Sequence, residues 1–153
     1  MRAEPAAFGG DRGRWGVALA TLAYLRGDAR RVRAYADSAR IALEPRLQRG
    51  DDPVLRAILA RTHAFAGRKQ EALDEIEAAV ASVPLSRDAV EWQRLQRSAA
   101  GTQMVVGEAE RAITTLEALL TVPSFASPTL LRYDPWWKPL RGNPRFEKLI
   151  VGR

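Results

Sequence analysis

Cysteine is absent from the 153 residues, and histidine and asparagine each occur once, as His63 and Asn143. Without cysteine, disulfides, thiol nucleophiles and thiolate zinc sites are excluded. A single imidazole cannot supply a multi-histidine metal site, and it leaves a Ser-His-Asp triad of ordinary construction without support. No apolar run reaches the ~18–20 residues that a membrane-spanning helix requires. Glycine-rich phosphate loops are missing too: Gly9-Gly10 precedes no strand and is followed by no Gly-Lys-Ser/Thr. No metal, cofactor or membrane is therefore expected, and the case for an enzyme is thin.

The composition is that of an ordinary globular chain, 46% hydrophobic and 27% charged, with a formal net charge of +6. The length suits one domain. The apolar stretch 17–25 follows Arg2, Arg12 and Arg14 as a signal-peptide core would. Glu4 and Asp11 interrupt the charged segment upstream of it, however, and Arg26, Arg30, Arg31 and Arg33 follow where a small-residue cleavage site belongs. A packed helix is the reading those flanks favour, and the cytoplasm is the expected location. Residues 1–13, with Pro5, Gly9, Gly10 and Gly13, read as a disordered lead-in.

Alanine occurs 26 times, and β-branched residues form no alternating runs, so the expected fold class is all-α. A capping side chain followed by proline recurs at Asp52-Pro53, Ser127-Pro128, Asp134-Pro135 and Asn143-Pro144. The side-chain oxygen accepts an orphan amide, and proline has no N–H to leave unsatisfied there. Apolar spacing of three and four predicts helices over 14–26, 29–44, 53–66, 69–82, 87–106, 108–121, 128–132 and 144–150.

Self-similarity organises these helices. Gly27, Gly67 and Gly107 recur every 40 residues, each between two predicted helices, where a tight turn favours a left-handed backbone. Five residues later stand Val32, Ala72 and Ala112; then come Ala36, Ile76 and Leu116, and then Ala39, Ala79 and Leu119. Proline closes the units at Pro45, Pro84 and Pro123. The three units span 14–50, 53–84 and 87–123, inside a repeat region of 14–124, and 125–153 reads as a C-terminal segment.

These residues resemble the tetratricopeptide repeat, whose pattern has a small residue before the turn, Gly at the turn, then Ala, a large apolar residue, Ala and Pro. The middle unit matches with Ala60, Gly67, Ala72, Ile76, Ala79 and Pro84. The 40-residue period is nearer that of HEAT or armadillo units. The surplus lies between units, in 46–52 and 85–91, so the internal register favours tetratricopeptide-like hairpins with lengthened connections. Pro45 departs from the pattern by breaking a second helix that usually continues. The ending from Leu130 to Leu149, with Asp134-Pro-Trp-Trp-Lys-Pro-Leu-Arg and Pro144-Arg-Phe, is similar to the ends of many bacterial tetratricopeptide proteins. In those proteins the region commonly follows a kinase, cyclase or winged-helix domain, none of which is present here.

The resemblance implies a right-handed solenoid of about three hairpins, with Trp136, Trp137, Phe146 and Leu149 as an aromatic cap over the last one. It also implies a non-catalytic interaction or regulatory scaffold, whose concave groove is lined by the first helix of each hairpin. Groove-facing positions are then Arg14, Thr21 and Tyr24, Arg61 and Phe65, and Arg94, Arg97 and Met104. Arginines beside aromatics suit an extended protein or peptide partner with acidic residues. The carboxylate clamp of chaperone-binding repeats needs groove asparagines, which this chain lacks. Homo-oligomerisation through an uncapped first hairpin is the alternative. Net charge is +5 over residues 1–61, −3 over 62–124 and +4 over 125–153, which suits end-to-end electrostatic partnering or contact with an acidic protein surface. Nucleic-acid binding is disfavoured, because Asp28 and Asp37 lie among Arg30, Arg31, Arg33 and Arg40 and no exposed aromatics are interleaved. His63 reads as a packed histidine at the position a tyrosine normally holds, and Arg26-Gly27-Asp28 as a turn.

Overall fold

Small residues let helices pair closely, and the computed structural model, which describes residues 8–123 and 126–151, shows that pairing throughout. Among the described residues there are eight α-helices and no strand. They are α1 (Arg12–Leu25), α2 (Ala29–Leu47), α3 (Pro53–Phe65), α4 (Lys69–Ser82), α5 (Ala89–Val105), α6 (Ala109–Leu119), α7 (Pro128–Tyr133) and α8 (Pro144–Val151). A 3-10 helix over Pro135–Leu140 separates the last two. The broadest packing joins α1 to α2, α3 to α4 and α5 to α6. Narrower contacts join α2 to α3 and α4 to α5. The first helices also touch one another, α1 on α3 and α3 on α5.

The three glycine turns are built alike. Gly27, Gly67 and Gly107 have φ of 72°, 79° and 88°. In each turn the glycine amide donates to the carbonyl three residues back (Tyr24, Ala64, Met104). The next amide donates to the carbonyl five back (Ala23, His63, Gln103) at 2.8–2.9 Å. That is the Schellman arrangement, which satisfies the last carbonyls of one helix and lets the next begin almost at once. Each stripe expected from the repeat is buried: Val32, Ala72 and Ala112; Ala36, Ile76 and Leu116; Ala39, Ala79 and Leu119. Ala20, Ala60 and Ala100 on the facing helices are fully buried as well.

All four expected caps form. Asp52 accepts from Val54 and Leu55, Ser127 from Leu130, Asp134 from Trp136, and Asn143 from Arg145. The residues of the expected lead-in divide in two: 1–7 lie outside the described residues, and the rest are structured. Gly9 and Gly10 make a left-handed turn, and Asp11 caps α1 through the Arg14 amide while accepting from Arg46 Nη1 at 2.8 Å. The helix thus starts at Arg12, and Gly13 is buried against Leu43.

Pro45 does not break the second helix, contrary to expectation; α2 runs through it to Leu47. The proline stands in the last turn, where the missing bond frees only the Ile41 carbonyl, and Ile41 and Pro45 are both exposed to solvent. Asp134-Pro135 begins a 3-10 turn that helical spacing did not predict.

Candidate functional site

Because α1, α3 and α5 touch, one face collects side chains from all three, and the C-terminal segment adds its own. Trp136, 8% exposed, lies against Tyr24 of α1 with ring centroids 5.4 Å apart and against Phe65 of α3 at 6.3 Å, edge-on at 89°. Tyr24 and Phe65 are themselves 5.4 Å apart. The Arg61 guanidinium stacks on the same indole, 5.0 Å from its centroid. Gly101 of α5 gives the indole its place: a Cβ there would come within 2.9 Å of Trp136 Nε1 and 3.3 Å of Arg61 Nη2. Helix-interior glycine is destabilising, so this close approach is its physical reason.

Next to this cluster, Arg97 donates from Nη2 to Asp134 Oδ2 at 2.7 Å and lies 5.9 Å from the Trp137 ring centroid. Met104 is buried in the same apolar cluster as Tyr24, Phe65 and Trp136. At the glycine-turn end, Tyr24 and Phe65 border an open cleft of about 350 Å³, walled also by Val32, Val105 and Arg33.

The electrostatics follow from burial. Loss of hydration pushes the Tyr24 phenol up. Burial, with repulsion from Arg97 second, lowers the Arg61 guanidinium to about 10. Arg61 keeps partial exposure overall, but its Nε is covered and has no hydrogen-bond partner. His63 is 5% exposed with an unpartnered Nδ1. Burial first, then Arg68, holds its imidazole below the usual value, against the opposing pull of Glu44, Glu71 and Glu75.

Of the eight positions expected in a groove, Tyr24, Arg61, Phe65, Arg97 and Met104 are brought together around Trp136 and its neighbours. The other three make local contacts. Arg14 pairs with Asp11 at 3.5 Å, the Thr21 hydroxyl donates to the Val17 carbonyl, and Arg94 pairs with Glu91 at 3.6 Å. Sequence reasoning missed Gly101, Asp134 and the depth to which Trp136 enters this face. A glycine inside the run Ala99-Ala100-Gly101 was the available signal, since it marks a close approach by another side chain. Among the described residues, no group of three or more His, Asp or Glu side chains could hold a metal ion, and no helix is long and apolar enough to cross a membrane. Comparison with protein-family models, curated proteins and solved structures gives no match to the chain.

Proposed function

We propose that the chain is a non-catalytic interaction module. In this reading its hairpins form a right-handed, tetratricopeptide-like solenoid, the aromatic C-terminal segment caps the last hairpin, and a cytoplasmic protein or peptide binds the concave face. The observation that carries it is the convergence of Tyr24, Arg61 and Arg97 from three successive first helices onto one face, backed by the buried Phe65 and beside an open, largely apolar cleft. Rigid aromatics and arginines are the side chains that dominate protein recognition surfaces. His63, sealed at 5% exposure, offers an imidazole no access to a substrate, which weighs against catalysis.

A peptide array probed with the labelled protein tests this reading. Acidic extended peptides should be retained with micromolar affinity that falls as salt screens the arginines. An Arg61→Ala/Arg94→Ala double variant with unchanged affinity, or no preference for acidic sequences, would remove the groove from consideration.

One observation favours self-association as a second reading. Leu22 and Leu25 of α1 are 46% and 44% exposed, and Leu22 borders a cleft with Leu19 and Tyr35 on the first hairpin. Exposed leucines beside Arg26, Asp28 and Arg31 offer both apolar area and charges of both signs to a second copy. Light scattering decides it: a monomer at high concentration disposes of this alternative.

A further inference from the structure

Buried polar side chains of this protein mostly find partners. Thr62 donates to the Ile58 carbonyl, Gln93 to the Pro123 carbonyl, and Gln103 accepts from Thr115. Among the described residues, five side chains keep a buried polar atom unpaired, and two of them are arginines. Arg40 compensates through its Nη1, which donates to Glu44 at 2.9 Å. Arg61 does not. It is the charged member of that group with neither a hydrogen bond nor an ion pair, and its one polar neighbour contact is the stack on Trp136.

That arrangement has a cost at Nε, whose N–H is withdrawn from water without an acceptor, while the side chain as a whole stays partly exposed and without a counter-charge. The indole supplies cation–π attraction but no acceptor. Stacking covers one face of the guanidinium plane and leaves its edge, where the N–H groups lie, as the side that a ligand can meet. Gly101 keeps side-chain bulk away from Nη2 at that edge. Carboxylates meet arginine edge-on through paired N–H···O bonds.

We infer that Arg61 donates to one carboxylate of an acidic partner segment, docked along the face shared by α1, α3 and α5. The inference rests on the groove reading above and names the chemistry of its central contact. A single carboxylate is the match proposed for Arg61, because Arg56, Arg94 and Arg97, the other arginines of α3 and α5, each have an ion pair. The ligand is therefore a Glu or Asp side chain, and an adjacent apolar side chain of the same segment has the cleft beside Tyr24 and Phe65 to enter.

The test uses short fluorescent peptides that differ only in a central Glu, Gln or phosphoserine, titrated into the full chain by anisotropy. The Glu peptide should bind about tenfold tighter than the Gln peptide, a difference of ~1.4 kcal/mol. Arg61→Lys, which keeps the charge but loses the planar fork, should abolish most of that ratio, and Arg87→Ala, at an exposed arginine outside the face, should leave it intact. Arg61→Met should also abolish it while melting at or above the parent temperature, since it removes the buried, unpaired Nε–H. A ratio that survives Arg61→Lys, tighter binding of the phosphoserine peptide, or an Arg61→Met melt several degrees below the parent would each overturn the assignment. Equal binding of Glu and Gln peptides that is lost in Tyr24→Ser would sink the Arg61 site and leave the groove standing. No binding by any peptide, here or on the array, would bring down both.

Discussion

The hairpins and the C-terminal segment reach the same burial by opposite means. In the hairpins, the seams are lined by Ala20, Ala36, Ala39, Ala60, Ala72, Ala79 and Ala112, all fully buried, so backbones approach closely and each residue contributes a small area. The C-terminal segment instead inserts a few large side chains, chiefly Trp137, Phe146 and Leu140, at 0–1% exposure. The first arrangement spreads stability over many sites but tolerates no added bulk or charge at any of them. The second concentrates burial in two or three large side chains.

The sharpest break of that comparison is Ala72→Glu. Ala72 is fully buried between α3 and α4, where a carboxylate finds neither space nor a partner, and an unpaired buried charge costs several kcal/mol. Against the 5–15 kcal/mol that typically separates folded from unfolded chains, this variant should be largely unfolded by circular dichroism at room temperature. If it melts with the parent, the repeat register is wrong.

Trp137→Ala should cost about 3–5 kcal/mol, as large-to-small changes at fully buried aromatics do. The loss should be local. Hydrogen exchange is expected to accelerate most across residues 128–151 and less in α1 and α3, where Trp136 meets Tyr24 and Phe65, while amides of α4 keep their protection. Uniform acceleration through all helices would mean that the segment and the hairpins form one cooperative unit.

How legible each region was follows from the same contrast. A seam of small residues repeats its spacing, so Gly27, Gly67 and Gly107 and the alanines after them announced the turns and the buried stripe. Capping pairs such as Asp52-Pro53 are local chemistry and could be read residue by residue. The docking of Trp136 is neither periodic nor local: it joins residues more than a hundred positions apart, Tyr24 and Trp136. Pro45 misled for a related reason. Its effect depends on how many helical bonds remain beyond it and on whether the freed carbonyl reaches solvent, and sequence shows neither. Of the candidate face, residue types were legible; that Arg61 lacks a counter-charge while Arg97 has Asp134 was not.

Two glycines refine the comparison at smaller scale. At Gly16 a Cβ would stand 2.9 Å from Ala39 Cβ and 3.3 Å from Ala39 Cα, so the two helix backbones must separate. Gly16→Ala should therefore destabilise by roughly 1–2 kcal/mol even after the ~1 kcal/mol gained from helix propensity. At Gly101 the obstructing atoms are the Trp136 ring edge and the end of the Arg61 side chain, which can shift. Gly101→Ala should lower the denaturant midpoint by less than Gly16→Ala, because side chains and not a helix backbone must yield, and should speed exchange chiefly in the C-terminal segment. Equal costs for the two would show that the aromatic contact is as unyielding as the alanine seam.

The smallest expected effect separates the two regions by pH. His63 is buried within the second hairpin, and its imidazole is held below the ordinary 6.5 chiefly by burial. Above pH 6.5 it is neutral whether the chain is folded or unfolded, so it takes nothing from stability. As pH falls below 6.5, the unfolded chain binds the proton first, and stability declines until the folded imidazole also titrates. The C-terminal clamp titrates lower: Glu110, lowered by its hydrogen bonds from Asn143 and Arg145, loses its contribution only as pH falls below 4.5 and on through its depressed value. Urea midpoints should therefore drift downward in the parent from pH 6.5 toward pH 5, and His63→Gln should flatten that stretch while leaving the steeper loss below 4.5 unchanged. A slope between pH 6.5 and 5 that persists in His63→Gln would place the titrating group elsewhere. The contrast would then fail where it was gentlest, since neither region would own the mildly acidic range.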